Sequence, residues 1–307
     1  MAQITAALVK ELRDKTSAGM MDCKKALNET DGDLEAAIDW LRQKGIAKAD
    51  KKAGRVAAEG LVAFATQGTK GAVVEVNSET DFVARNEEFQ SAVSEISTLA
   101  LGVSDTAGLA AATTASGETV SDFLTSLVGK IGENMSLRRM QGLSVNSGVV
   151  AGYMHNAAGP NMGKIGVLVA LESTGDVSAL EALGKKISMH VAATSPLALR
   201  VEDLDPAIVT KEREMLSAEA RESGKPENII EKMVDGRMTK FFKESVLMTQ
   251  IFVMDGERSI EAVIADEAKA LGTDIKMTGY VRMALGDGIE KKEEDFAAEV
   301  AAAVAQS

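Results

Sequence analysis

Gly71-Ala72-Val73-Val74-Glu75-Val76-Asn77-Ser78-Glu79-Thr80-Asp81-Phe82 is an apolar run that breaks into a polar, acidic turn. Before it, Leu61 to Thr66 form a second apolar run, and Gln67-Gly68-Thr69 lies between them. Two such runs around a Gly-containing turn predict a β-hairpin. The order then returns: Gly166-Val167-Leu168-Val169-Ala170-Leu171-Glu172-Ser173-Thr174-Gly175-Asp176-Val177 echoes the first stretch, and Gly148-Val149-Val150-Ala151 echoes Gly60-Leu61-Val62-Ala63. Helical spacing follows each hairpin, at Phe89, Val93, Ile96 and Ala100 and again at Leu180, Leu183, Ile187 and Val191. The chain therefore reads as an α+β protein with a core of two related subdomains, the second hairpin loop being lengthened by His155 to Lys164. Chance likeness between two hairpins is the competing account.

Working outward, residues 1–55 make a unit of their own. Ile4, Leu8 and Leu12 have helical spacing, and Thr16 to Gly19 break it. A second helix carries Cys23, Ala26 and Leu27. Asp33 caps a third, with Leu34, Ala37, Ile38 and Leu41 on its apolar face and Gly45 at its end. Lys44, Lys48, Lys51, Lys52 and Arg55 read as an exposed basic connector, a solvated stretch in preference to a binding strip. Residues 56–147 then hold the first core subdomain. Within it, Gly102 to Gly117 is rich in Ala, Thr, Ser and Gly and reads as loose. A helix near Thr119 to Gly132 leads to a strand near Leu137 to Leu143.

Residues 148–285 hold the second subdomain, interrupted at about 206–249. There Pro206 opens a helix, Ser223-Gly224-Lys225-Pro226 stops it and starts the next, and the pair should lie antiparallel. Ile275 to Leu285 returns as a strand closing the second sheet. Residues 286–307 make a C-terminal module whose tail, from Glu290, is charged, then Ala-rich and helical.

Composition narrows the function. Net charge is −12, and aromatics are 4% of the 307 residues. Both argue against direct nucleic-acid binding, which draws on Lys/Arg and stacking. Residues 1–55 hold 11 Lys/Arg against 9 Asp/Glu, and the remainder 23 against 37. Cys23 is the lone cysteine, so no internal disulfide forms, in keeping with a reducing compartment. The apolar runs are too short for a bilayer span. The expectation is a cytoplasmic protein without membrane contact.

Chemistry is sought and not found. Two His and one Cys cannot build a Cys/His zinc site. Gly159-Pro160-Asn161-Met162-Gly163-Lys164-Ile165 is one residue short of a P-loop and has Ile165 where Ser or Thr would hold magnesium. Gly142-Leu143-Ser144-Val145-Asn146 misses a nucleophile elbow at its last position. His155 is placed at the end of a strand, His190 beside the apolar stripe of a helix, and Cys23 in packing. No catalytic residue, metal ligand or cofactor is assigned, and the chain is not read as an enzyme.

Two long segments nevertheless carry a specific likeness. Leu12-Arg13-Asp14-Lys15-Thr16-Ser17-Ala18-Gly19-Met20-Met21-Asp22-Cys23-Lys24-Lys25-Ala26-Leu27 and Glu75-Val76-Asn77-Ser78-Glu79-Thr80-Asp81-Phe82-Val83-Ala84-Arg85-Asn86 resemble the elongation factor Ts family. Weaker similarity runs through Ile187 to Ala193, Ser223 to Pro226 and Asp295 to Val300. The resemblance implies an N-terminal three-helix ubiquitin-associated-like bundle, the two-subdomain core, an inserted coiled-coil hairpin and a C-terminal helical module. It also implies a guanine-nucleotide exchange factor that supports translation elongation. The partner would be elongation factor Tu, GDP-bound and nucleotide-free, with dimerisation within the complex left open. Thr80, Asp81, Phe82 and Val83 would press on the partner near its magnesium and nucleotide. Arg13, Met20, Met21 and His155 would dock, Met20 and Met21 from the first interhelical turn and His155 with Tyr153. Read from the residues alone, Phe82 has a second placement: it lies seven before Phe89, in phase with a buried stripe, and Asp81 or Asn86 could cap that helix.

Overall fold

The structure, a computed structural model, describes residues 4–16, 18–222, 224 and 226–290. Three helices come first: α1 (Ala6–Thr16), α2 (Met20–Glu29) and α3 (Leu34–Asp50). Leu12, Cys23, Ala26, Leu27 and Ala37 close their small core, each fully buried. Gly32, at φ 85°, turns the chain between α2 and α3, and Asp33 caps α3 by accepting the Ala36 N–H at 3.0 Å.

The third helix does not stop at Gly45. It runs to Asp50, and its last turns lie on the core. A Cβ built on Gly129 would come within 2.9 Å of the Gly45 Cα, so two glycines meet where the helices cross. Close packing there offsets the propensity cost of Gly inside a helix. The basic stretch is therefore no free connector: Lys52 Nζ donates to the Gly132 carbonyl, and Arg55 pairs with Glu79 at 3.3 Å.

Next come β1 (Glu59–Gln67), β2 (Lys70–Ser78), α4 (Glu87–Leu99), α5 (Thr106–Ala111), α6 (Val120–Ile131) and β3 (Met135–Ser144). The second half supplies β4 (Gly148–Gly159), β5 (Met162–Ser173), α7 (Val177–Thr194), α8 (Pro206–Arg221), α9 (Glu227–Ser245), α10 (Ile260–Leu271) and β6 (Ile275–Ala284). The fold is α+β, and the six strands pair antiparallel.

The strands do not form two separate sheets. One ladder runs β3-β2-β1-β5-β4, with β6 on the other edge of β5. The join is short: Val62 pairs with Gly163 and Ala63 with Met162. It exists because β4 and β5 are longer than the sequence pattern suggests. His155 to Lys164 is no loop; both strands continue to a tight turn at Pro160 and Asn161, the latter at φ 55°. That turn reaches β1, where Asn161 O accepts the Phe64 N–H at 3.0 Å.

Beyond the join, the two three-stranded units pack face to face. Val62, Phe64 and Val73 meet Val150, Leu168, Ala170, Val281 and Met283. The outer faces are covered by α4, α5 and α6 on one side and by α7 and α10 on the other. The two hairpins use the same register device. Gly60 sits opposite Asn77 at φ 119°, and Gly148 opposite Glu172 at φ 111°. A Cβ on either would strike a facing carbonyl, at 2.3 and 2.1 Å.

The Gly102 to Gly117 stretch is ordered. Asp105 caps α5 through the Gly108 N–H at 2.7 Å, Leu109 is fully buried, and Thr113 bridges Thr119. Its small residues suit a helix of only six residues laid close on β3. In the second half, α8 and α9 pair through Leu216, Ala220, Ile230, Val234 and Met238. Pro206 opens α8 behind an Asp205 cap, and Gly224 turns at φ 67°. Ser223, Lys225 and the helical tail expected after Glu290 lie outside the described residues.

Candidate functional site: an exposed turn

The β2 ladder ends at Ser78, opposite Met135. The next four residues leave the sheet, and the chain then makes a 3-10 turn at Val83–Arg85. Ser78 Oγ donates to the Thr80 carbonyl at 3.0 Å. Thr80 is held from outside the turn: its N–H donates to Glu133 Oε2 at 2.9 Å and its hydroxyl to Glu133 Oε1 at 2.7 Å. Glu79 answers by accepting the Asn134 N–H at 2.6 Å. Val83 is buried in the first core, so it anchors the turn and does not face outward.

Between these fixed points stand Asp81 and Phe82. Phe82 is 74% exposed, whereas Phe89 is fully buried. The shared stripe is broken because the 3-10 turn and the extended Asn86 intervene. Asn86 is the cap of α4, accepting the Glu88 and Phe89 N–H groups at 2.9 and 3.1 Å. Asp81 caps nothing; it is exposed and meets Arg85 at 3.3 Å. The second half differs here, since Asp176 itself caps α7 and Val177 is that helix's first residue.

The remaining expected contact residues sit on other elements. Arg13 is exposed in the last turn of α1. Met20 and Met21 are the first residues of α2, not a loop, and are 59% and 77% exposed. His155 lies exposed within β4, paired with Ile165, with its Nδ1 3.3 Å from the Tyr153 hydroxyl. The expected contact residues thus lie on α1, α2 and β4, apart in the chain from the Thr80 to Val83 turn.

His190 is fully buried, its Nε2 2.9 Å from Gln250 Oε1 and its Nδ1 accepting the Val253 N–H at 3.3 Å. Burial pushes its pKa below the ordinary 6.5, only partly offset by Gln250. Sequence reading missed Glu75, a fully buried carboxylate. Arg139 Nε reaches its Oε2 at 2.6 Å, Arg138 Nη1 its Oε1 at 3.0 Å, and the Gly286 N–H its Oε1 at 2.8 Å. Glu133 was missed too; its partner lies 53 residues away, and nothing local marks it. Among the described residues no group of His, Cys, Asp and Glu could hold a metal ion, and no helix is long and apolar enough to cross a membrane.

These features define an α+β protein that leaves large apolar side chains exposed on a fixed turn and at the start of a helix. The comparisons narrow that class. Residues 79–287 match the family model for elongation factor TS. The chain is 62% identical to elongation factor Ts of Maricaulis maris (strain MCS10), with all of both chains covered. It is 61% identical to elongation factor Ts of Sphingopyxis alaskensis and 59% to that of Rhizobium johnstonii, with 99% of each chain covered in both. The chain belongs to the elongation factor Ts family.

Proposed function

We propose that this chain is a guanine-nucleotide exchange factor for elongation factor Tu, acting in translation elongation in the cytoplasm. It binds the GDP-bound partner, promotes GDP release, and remains on the nucleotide-free form. It performs no covalent chemistry. The observation that carries this reading is the Phe82 ring: 74% exposed, on a turn fixed at both Thr80 and Val83. A large apolar side chain held mostly in water is suited to insertion into a partner. Packed cores respond to such a wedge by switching arrangement. Asp81 beside it brings negative charge toward the magnesium and phosphate site, disfavouring the nucleotide-bound state.

Docking is shared between Arg13, Met20 and Met21 at one end and His155 on β4. Adaptable Met side chains suit such a contact. In this scheme residues 1–55 are a ubiquitin-associated-like docking module, 56–147 and 148–285 are the core subdomains, α8 and α9 form a coiled-coil insertion, and 286–307 are a C-terminal module.

Linkage requires that GDP weaken this chain's binding by the factor with which the chain weakens GDP. The test is stopped-flow release of a fluorescent GDP from elongation factor Tu. The chain should accelerate release, and Phe82→Ala should abolish most of the acceleration. Binding without acceleration would make the protein a passive adaptor and overturn the proposal.

A further inference from the structure

With the Phe82 ring 74% exposed, its direction depends on how the backbone on either side is held. On the C-terminal side Val83 is buried. On the N-terminal side the strand pairing has ended, and hydrogen bonds across to the α6–β3 turn take over. Glu133 stands in that turn just after Gly132, which is at φ 87°. It grips Thr80 twice, at 2.9 Å to the N–H and 2.7 Å to the hydroxyl. Glu79 grips the Asn134 N–H in the opposite sense at 2.6 Å. Bonds to ionised acceptors are shorter and stronger than neutral ones. Two carboxylates each holding the other turn's backbone leave little freedom for the residue that follows Thr80 and Asp81.

We propose that Glu133 is a positioning residue for nucleotide exchange, fixing through Thr80 the turn that presents Asp81 and Phe82. The inference rests on the wedge reading of Phe82. A pre-set contact spends no binding free energy on ordering itself, whereas a mobile turn must be ordered at the moment of action. Loss of the clamp should therefore slow the step that Phe82 drives more than it weakens docking through the other elements.

The experiment uses the full chain and elongation factor Tu loaded with fluorescent GDP. Glu133→Ala should lower the maximal release rate on the order of tenfold, while the concentration for half-maximal effect and the melting temperature change little. Glu133→Gln should recover much of the rate, because its amide oxygen accepts the Thr80 N–H and its NH2 donates to the Thr80 hydroxyl, in neutral bonds weaker than those to the carboxylate. In a Phe82→Ala background, Glu133→Ala should have no further effect, as residues acting in series are non-additive. A wild-type rate for Glu133→Ala, no rescue by Gln, or an equal further loss without Phe82 overturns the proposal. If Glu133→Ala does not fold, Thr80→Val carries the test by removing the hydroxyl half of the clamp, and a wild-type rate again overturns it. Phe82→Ala at wild-type rate sinks the wedge reading itself, whereas a slow Phe82→Ala beside a fast Glu133→Ala sinks the positioning role alone.

Discussion

Gly129 of α6 lies against Gly45 of α3 so closely that a methyl group on Gly129 would come within 2.9 Å of the Gly45 Cα. The obstacle is backbone and cannot rotate away, so the two helices must separate to admit it. Gly236 of α9 is the natural control, since nothing lies within 4 Å of its would-be Cβ. Gly129→Ala should destabilise the protein by about 1–3 kcal/mol through overpacking. Gly236→Ala should stabilise it by roughly 0.5–1 kcal/mol through helix propensity. Thermal melts of the two variants check the contrast. If both shift the same way, the helix crossing is looser than these distances require.

Phe82 and Phe89 call for the opposite pair of outcomes. Phe89→Ala empties a fully buried site in the first core and should cost about 3–5 kcal/mol. Phe82→Ala removes an exposed ring and should leave the melting temperature near that of the unaltered chain. GDP release should fall sharply for Phe82→Ala. A stability loss for Phe82→Ala comparable to that of Phe89→Ala would return Phe82 to the core.

Periodicity made the strands and the helices around Leu180 and Phe89 legible, because burial on one face leaves a repeating signature. It could not show that α3 continues past Gly45. Gly is read as a stop, and here a second Gly 84 positions away made it a crossing point. Nor could it show that His155 to Lys164 is strand and turn: that segment is paired across to Ile165 and to β1, and such pairing leaves no local mark in its polar residues. Phe82 shows the same limit from the other side. Its spacing from Phe89 was in phase, and the 3-10 turn and the extended Asn86 take it out of the stripe. The roles expected of Arg13, Met20, Met21, His155 and the Thr80 to Val83 turn rest on likeness to a family, while Glu133 and Glu75, whose partners are distant, had no signal in one chain.

The pH dependence of stability should carry a mark of His190. Its Nδ1 accepts the Val253 N–H, so a second proton there would set donor against donor. The folded pKa is lowered by burial below 6.5, while the unfolded chain takes up its proton near 6.5. Below that pH the unfolded state binds more protons, so stability falls as pH falls. His190→Gln should therefore flatten the stability curve below pH 6.5 relative to the unaltered chain. Parallel curves from denaturant titrations across that window would mean that His190 titrates alike in both states.

Glu75 ties three parts of the chain together, and its removal should be felt in all of them. Its carboxylate lies on β2, takes Arg138 and Arg139 from β3, and holds the Gly286 N–H just beyond β6. The two arginines extend the tie, Arg139 to the Ala284 carbonyl at 2.9 Å and Arg138 to that of Asp287 at 2.5 Å. Burial alone would raise the pKa of Glu75. The Gly286 N–H, Asn77 and the two guanidiniums outweigh it and hold the carboxyl below its ordinary 4.5. Glu75→Gln keeps the shape and deletes the charge. Because it leaves two half-buried guanidiniums without their counter-ion, it should cost about 3 kcal/mol at neutral pH. The stabilisation from ionised Glu75 is fully present above 4.5 and is lost as pH falls through the lower folded value. The stability gap between the two proteins should therefore be constant at neutral pH and narrow below pH 4.5. Hydrogen exchange adds a local readout: the Gly286 amide, bonded to Glu75 in the folded chain, should exchange faster in the variant than amides inside β2. Unchanged Gly286 protection together with unchanged stability at pH 7 would show that the segment after β6 is held by bonds such as that from the Leu285 N–H to the Lys164 carbonyl on β5, at 2.8 Å, and not by the buried carboxylate.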